Sequence, residues 1–178
     1  LYAAARHHAD VRQPLAGWMG HREPFAFEAD YAPGNGIQRF LSGTPPILSM
    51  AALDAALDSF AGVDLEKLRI KSMALGKLMV ELVQRTELAD ELSLVSPAPP
   101  QLRGSQISWS HPQAYGIVQA MIERGVVTDF REPDILRVGF SPMYNSFCDV
   151  WEAVECLRSV IAGGEHLDSR WRYKAKVT

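Results

Sequence analysis

The segment Gly17–Leu48, GWMGHREPFAFEADYAPGNGIQRFLSGTPPIL, constrains the chain more than any other, because it is too rich in glycine, proline and aromatics to be a regular element. Trp18 stands between glycines at 17 and 20, aromatic residues follow at 25, 27, 31 and 40, and Gly43-Thr44-Pro45-Pro46 closes the run. Pro33-Gly34-Asn35-Gly36 reads as a turn. Glycines beside a tryptophan let a backbone approach something flat or anionic closely, and the double proline fixes how the following helix begins. An irregular segment of this length inside a compact domain is usually functional or at an interface; the alternative is a surface loop stapled by its own aromatics.

Around this segment the chain has the means to build a core. Its 178 residues, 47% hydrophobic and 22% charged, suit one medium domain or one part of a larger protein. A formal net charge of -3 gives no broad electrostatic reason to expect nucleic acid or an anionic membrane as partner. No apolar run reaches the roughly eighteen residues of a membrane span, and the N-terminus lacks the basic-then-apolar order of a secretory signal. The expectation is a cytoplasmic protein. Cys148 and Cys156 lie eight positions apart on a predicted helix, about 12 Å at about 1.5 Å per residue, which is too far for a disulfide. With no CxxC pattern they read as packing residues. His7 and His8 have no third ligand at useful spacing, so no metal is expected.

Leu1–Ala5 reads as a buried strand entered midway, and with no initial Met the N-terminal part of a longer protein is expected upstream. From Ile47 the pattern is helical, with Met50, Leu53, Leu57 and Phe60 on one stripe and Gly62 as the stop. Asp64 caps a longer helix to about Glu87, with Leu65, Leu68, Leu75, Met79 and Leu82 on one face. After a short strand at Leu92–Val95, Ser96–Pro100 reads as an extended linker. Gln106–Ser110 alternates, putting Ile107 and Trp109 on one face of a strand. Ser110 is the predicted cap of a helix with Pro112 in its first turn, carrying Ala114, Ile117, Val118, Met121 and Ile122 inward and ending at Gly125. Val126–Phe130 and Ile135–Phe140 are two more strands. Ser146 with Asp149 forms a capping box opening a helix that buries Phe147, Val150, Trp151, Val154 and Leu157. The basic and aromatic tail from Gly164 reads as a loosely ordered terminus.

Three residues stand out on physical grounds. Arg137 lies in a strand with Ile135 and Gly139 on its face, and a half-buried guanidinium needs a partner whose geometry matches its planar fork, such as a carboxylate. That carboxylate is either an internal Asp or Glu or one that comes from outside the chain. Thr44 precedes two prolines that lack N–H groups, so at an anion-binding helix start its hydroxyl would have to contribute; otherwise it is an ordinary cap. Trp18 offers one indole donor on a large apolar ring, and its other reading is a core residue.

The blocks GWMGH and GTPPIL, with RGSQIS at Arg103–Ser108, the Gly125-Val126-Val127 to Asp129-Phe130-Arg131 segment and LRVGFSPMYNSFCDVW at Leu136–Trp151, resemble kynureninase in order over nearly the whole chain to about Ile161. The resemblance implies the C-terminal portion of an α/β pyridoxal phosphate enzyme of fold type I, with a long connecting helix and a small α/β domain built on a mainly antiparallel sheet. Residues 1–62 would be the end of the large cofactor-binding domain, 63–90 the connecting helix, 91–163 the small domain and 164–178 a tail. The implied activity is hydrolytic cleavage of L-kynurenine to anthranilate and L-alanine, in tryptophan catabolism or on the way to NAD, by a homodimer with shared active sites.

By the same resemblance Trp18 and Thr44 touch the pyridoxal 5'-phosphate, Arg137 holds the substrate α-carboxylate and Phe25 lines the pocket for the aryl ketone. No catalytic residue is expected in this stretch. The Schiff-base lysine would lie upstream of Leu1, since Lys67, Lys71, Lys77, Lys174 and Lys176 lack its context. The nearer rival is a cysteine desulfurase or class V aminotransferase relative, which would carry different blocks and, for a desulfurase, a mobile catalytic cysteine. The more distant one is a non-enzymatic dimerisation or binding module.

Overall fold

Asp64 starts the longest helix, α2 (Leu65–Gln84): its carboxylate accepts the backbone N–H of Glu66 at 3.0 Å and of Lys67 at 3.1 Å, which occupies two of the donors a helix start leaves unpaired. Leu75, Met79 and Val83 recur at one-turn spacing and are buried, with Ser72 and Gly76 beside them. Burial therefore begins only in the third turn. Leu65, expected on the buried face, is exposed and Leu82 is half-buried. A short helix α3 (Leu88–Glu91) follows.

Four strands, β1 (Ser93–Leu94), β2 (Gln106–Ser110), β3 (Asp129–Arg131) and β4 (Ile135–Gly139), form one sheet in the order β1-β2-β4-β3, every neighbouring pair antiparallel. Alternation along each strand turns Ile107, Trp109, Phe130, Leu136 and Val138 to one face, where all are buried. That face packs on α4 (Ala114–Glu123) and α2, and α5 (Phe147–Ala162) packs on both helices. The Tyr115 ring meets Phe130 edge to face at 5.5 Å. The opposite face carries Ser108, Asp129, Arg131, Ile135, Arg137 and Gly139.

Several local expectations shift. Val127 is exposed and pairing begins only at Asp129. Ser110 stays in β2, so it does not cap α4; the N-cap is Gln113, whose N–H is accepted by His111 Nδ1 at 3.0 Å. The capping box at Ser146 and Asp149 is present. On α5 the buried stripe is Val150, Val154, Leu157 and Val160, while Phe147 and Trp151 are exposed: Trp151 sits about 100° around the axis from Val150. Arg103 donates to the carbonyls of Pro97 (3.0 Å) and Ala98 (3.1 Å), so the proline-rich linker is clamped from below. The tail also packs: two 3-10 turns, Glu165–Leu167 and Ser169–Arg172, bury His166, and Trp171 donates its indole N–H to the Glu165 carbonyl at 3.1 Å.

The structure, a computed structural model, describes residues 1–174, and Lys176 lies outside them. Contacts divide the chain into two units, Leu1–Gly62 and Val63–Thr178. In the first, only Gly20, His21 and Gly34 are buried. Leu1 and Tyr2 are exposed and Ala5–His7 is a 3-10 turn, because no strand pairs with the opening residues. Helix α1 (Ile47–Asp58) forms as expected, but Met50, Leu53, Leu57 and the following Phe60 are all exposed. Gly62 has φ +75°. Among the described residues no helix is long and apolar enough to cross a membrane.

Candidate functional site

In the first unit the glycines of the Gly17–His21 block make room for the chain itself. A Cβ on Gly17 would lie 2.3 Å from the Ser42 carbonyl oxygen, and one on Gly20 would lie 2.3 Å from that of Leu41. The Met19 N–H donates to Ser42 O at 3.1 Å. The close approach inferred from the sequence is thus made to residues 41–42. Tyr31 donates its hydroxyl to the Gly20 carbonyl at 3.0 Å, and its ring meets His21 at 5.7 Å. His21 Nδ1 accepts the Glu23 N–H at 3.0 Å. Trp18 stands on edge against Phe25, ring centres 5.6 Å apart.

These contacts shape a cavity of about 340 Å³ lined in part by Trp18, His21, Phe27, Glu28 and Tyr31. Phe25 braces Trp18, whereas Phe27 is the phenylalanine of the lining. Phe27 has φ +54°, a left-handed conformation that is strained for a bulky residue and tends to mark functional loops. Nothing in the residue pattern distinguishes it from Phe25. Thr44 does not cap α1: the N-cap position falls on Pro46 and no side chain bonds there. Trp18 is not core, being 45% exposed. Among the described residues neither the Trp18 indole N–H nor the Thr44 hydroxyl has a hydrogen-bond partner, as the hydrogen bonds of this segment run through other groups.

In the second unit Arg137 lies on the open face of the sheet, directly opposite Asp129 on β3 and Ser108 on β2. Its Nε donates to both Asp129 oxygens, at 2.8 and 2.9 Å, and Nη2 donates to Oδ2. The two side chains are 29% and 32% exposed. Of the two partners the sequence left open, the chain supplies the internal one. Hydrogen bonding to Asp129 holds the Arg137 guanidinium pKa above the ordinary arginine value, against the opposing effect of burial. Arg131 Nη2 reaches the same carboxylate at 3.4 Å. Trp18, Phe25 and Thr44 belong to the first unit and Arg137 to the second.

The remaining reactive groups are less suited to chemistry. Cys148 is exposed and Cys156 half-buried, both on α5; burial pushes the Cys156 thiol pKa up, the opposite of what an attacking thiolate needs. Lys67, Lys77 and Lys174 pair with Asp64, Glu81 and Glu132. Among the described residues no group of three or more His, Cys, Asp or Glu could hold a metal ion.

Comparison with known proteins separates fold from family. A cysteine desulfurase from Thermococcus onnurineus superposes over 91% of this chain and 42% of its own with TM-score 0.72 at 16% identity. A cysteine desulfurase from Escherichia coli does so over 90% and 41%, TM-score 0.68, at 18% identity. Such likeness establishes the fold, which this chain shares with about two fifths of each of those chains. Sequence similarity is much higher elsewhere: 45% identity over 168 residues to a kynureninase of Pseudomonas fluorescens, covering 94% of this chain and 40% of that protein. A kynureninase of Burkholderia mallei is 47% identical over 161 residues, 90% of this chain and 39% of that one. The chain thus spans about two fifths of the length of these relatives. The family model described as "Kynureninase C-terminal domain" matches residues 68–157, and the chain belongs to that family.

Proposed function

We propose that this chain serves a pyridoxal phosphate-dependent kynureninase, which hydrolyses the side chain of L-kynurenine to anthranilate and L-alanine in tryptophan catabolism or NAD biosynthesis. The observation that carries this reading is 45% identity to a kynureninase over 94% of the chain, both units included. The desulfurase likeness is confined to 16–18% identity, and both cysteines lie within helix α5. In this reading residues 1–62 end the large domain, 63–90 connect, 91–163 make the small domain and 164–178 are its tail. The enzyme is a cytoplasmic homodimer with shared active sites; the apolar surface that Leu48, Met50, Leu53 and Leu57 leave exposed along α1 supports a covering partner.

The residues fit the cofactor's chemistry. Trp18 and Thr44 each present a donor that no group of the described chain uses, which suits a phosphate oxygen, and one fold neighbour has glycine covalently linked to its PLP-cofactor. When bound, the cofactor supplies an electron sink for a carbon that carries developing negative charge. The chain's own part is recognition. Arg137, whose Nε and Nη2 already pair with Asp129, would hold the α-carboxylate of the amino-acid substrate through its remaining N–H groups; Thr44 and the Trp18 indole would donate to the phosphate. Phe25, in edge contact with Trp18, would brace the wall for the aryl ketone. No lysine of the chain is assigned to the cofactor.

The test is turnover by the full-length holoenzyme, read as fluorescence of anthranilate from L-kynurenine and of 3-hydroxyanthranilate from its 3-hydroxy form. Absence of product from both would overturn the assignment. Arg137→Ala in that enzyme should cost on the order of 2 to 4 kcal/mol of substrate binding, seen as a raised KM. Unchanged kinetics would remove Arg137 from the site.

A further inference from the structure

We infer that Asp129 is the residue that aims Arg137, taking one edge of the guanidinium and leaving the other for the incoming carboxylate. This rests on the reading of Arg137 as the substrate's carboxylate holder. An arginine has five N–H groups in a rigid plane, and a carboxylate can engage them side-on, through Nε and one terminal nitrogen, or end-on, through the two terminal nitrogens. Asp129 engages Arg137 side-on: Nε lies 2.8 and 2.9 Å from its two oxygens and Nη2 donates to Oδ2. Among the described residues Nη1 makes no bond to the chain. The end-on edge, one hydrogen of Nη1 and the second of Nη2, is therefore left for a bidentate partner.

The surroundings are built for this division. Asp129 and Arg137 are direct cross-strand partners on β3 and β4, so two antiparallel backbones fix the separation of their Cα atoms, and Arg131 draws on the same carboxylate at 3.4 Å. On the other flank the cross-strand partner is Ser108, and Gly139, two residues along on the same face, is exposed. Both are small residues on the sheet face that carries Arg137. A long side chain without such a brace would have to be ordered by each substrate that arrives, whereas a pre-aimed fork loses less freedom on binding. The opposing arrangement is a competitor: an Asp129 that must be displaced before substrate can bind. The two differ in sign, because removing an aiming residue weakens carboxylate binding and removing a competitor strengthens it.

The experiment uses the full-length holoenzyme with Asp129→Asn, Asp129→Ala, Arg137→Ala and the Asp129→Asn/Arg137→Ala double variant. Steady-state KM and kcat are measured on L-kynurenine, with inhibition constants for L-alanine and for L-alaninamide, which lacks the carboxylate. The expected result for Asp129→Ala is a rise of about tenfold in KM and in the L-alanine constant, with kcat and the L-alaninamide constant within about threefold. Asp129→Asn, which keeps one acceptor oxygen and the shape, should show a smaller rise, and it is the variant read should Asp129→Ala not fold. Asp129→Asn should add nothing on top of Arg137→Ala. A lower KM in the Asp129 variants would overturn the proposal in favour of competition. Variants that change only the melting temperature, while Arg137→Ala still raises KM, would overturn it and leave the Arg137 reading standing. Arg137→Ala without effect would sink that reading itself.

Discussion

Gly17 shows how a single missing carbon can hold two stretches of a loop together. Its hydrogen faces the Ser42 carbonyl where a Cβ would stand at 2.3 Å, and the obstacle is backbone, which cannot rotate aside. Gly17→Ala must therefore push residues 17–20 away from 41–42 and stretch the Met19-to-Ser42 hydrogen bond of 3.1 Å. Overpacking of this kind costs about 1 to 3 kcal/mol. We expect the Met19 amide to exchange with solvent faster in the Gly17→Ala full-length protein than in the parent; equal exchange would mean that the loop tolerates the separation. Gly17 is legible in the sequence because a glycine flanking a tryptophan in so irregular a segment implies a close backbone approach. What it approaches is not legible, since residue 42 is distant along the chain. Phe25 and Phe27 are a sharper case: one letter at two positions, distinguished only by the positive φ of Phe27.

At the scale of elements, the second unit is the readable one. Ile107 and Trp109 on β2, and Val150, Val154 and Leu157 on α5, follow from period and alternation alone, because burial on one face writes itself into spacing. Trp151 departs from the expected burial because its angle on the helix, not its size, turns it off the core face; Phe147 shares the angle of buried Val154 but is the first residue of α5, at the end of the element. The tail departs for another reason: its contacts are long-range, Arg170 pairing with Glu123 at 2.9 and 2.8 Å and His166 meeting His111 at 5.6 Å. That histidine pair links the start of α4 to the tail. Burial, then repulsion from His166, lowers the His111 pKa below the ordinary histidine value, while Glu91 Oε2 at 3.7 Å opposes them. A folded-state pKa below the unfolded one means that the unfolded chain binds more protons near that pH. The stability contribution is complete above about 6.5 and declines as pH falls through it, levelling off below the folded-state value. Melting temperature should accordingly drop less between about pH 7.5 and 5.5 in His111→Gln than in the parent; parallel slopes would exclude His111 as the titrating group.

At the scale of the whole chain the contrast between the two units decides what can stand alone. Among the described residues the fully buried apolar side chains, from Leu75 to Val160, all lie in the second unit and form one cluster around Trp109, Leu136 and Leu157. The first unit buries no apolar side chain and exposes Phe25, Phe27, Ile47 and Leu48. Folding must offset about 1 to 2 kcal/mol of backbone entropy per residue, and apolar burial is the main term that can do so. A polypeptide of residues 63–174 should therefore unfold in one cooperative thermal transition followed by circular dichroism, with dispersed amide resonances. Residues 1–62 alone should melt without a transition, the local hydrogen bonds around Gly20 and His21 being too few to hold the loop. The aromatic loop that dominates the sequence would then owe its shape to apolar surface supplied by other parts of the protein, and a sharp transition in residues 1–62 would refute that dependence.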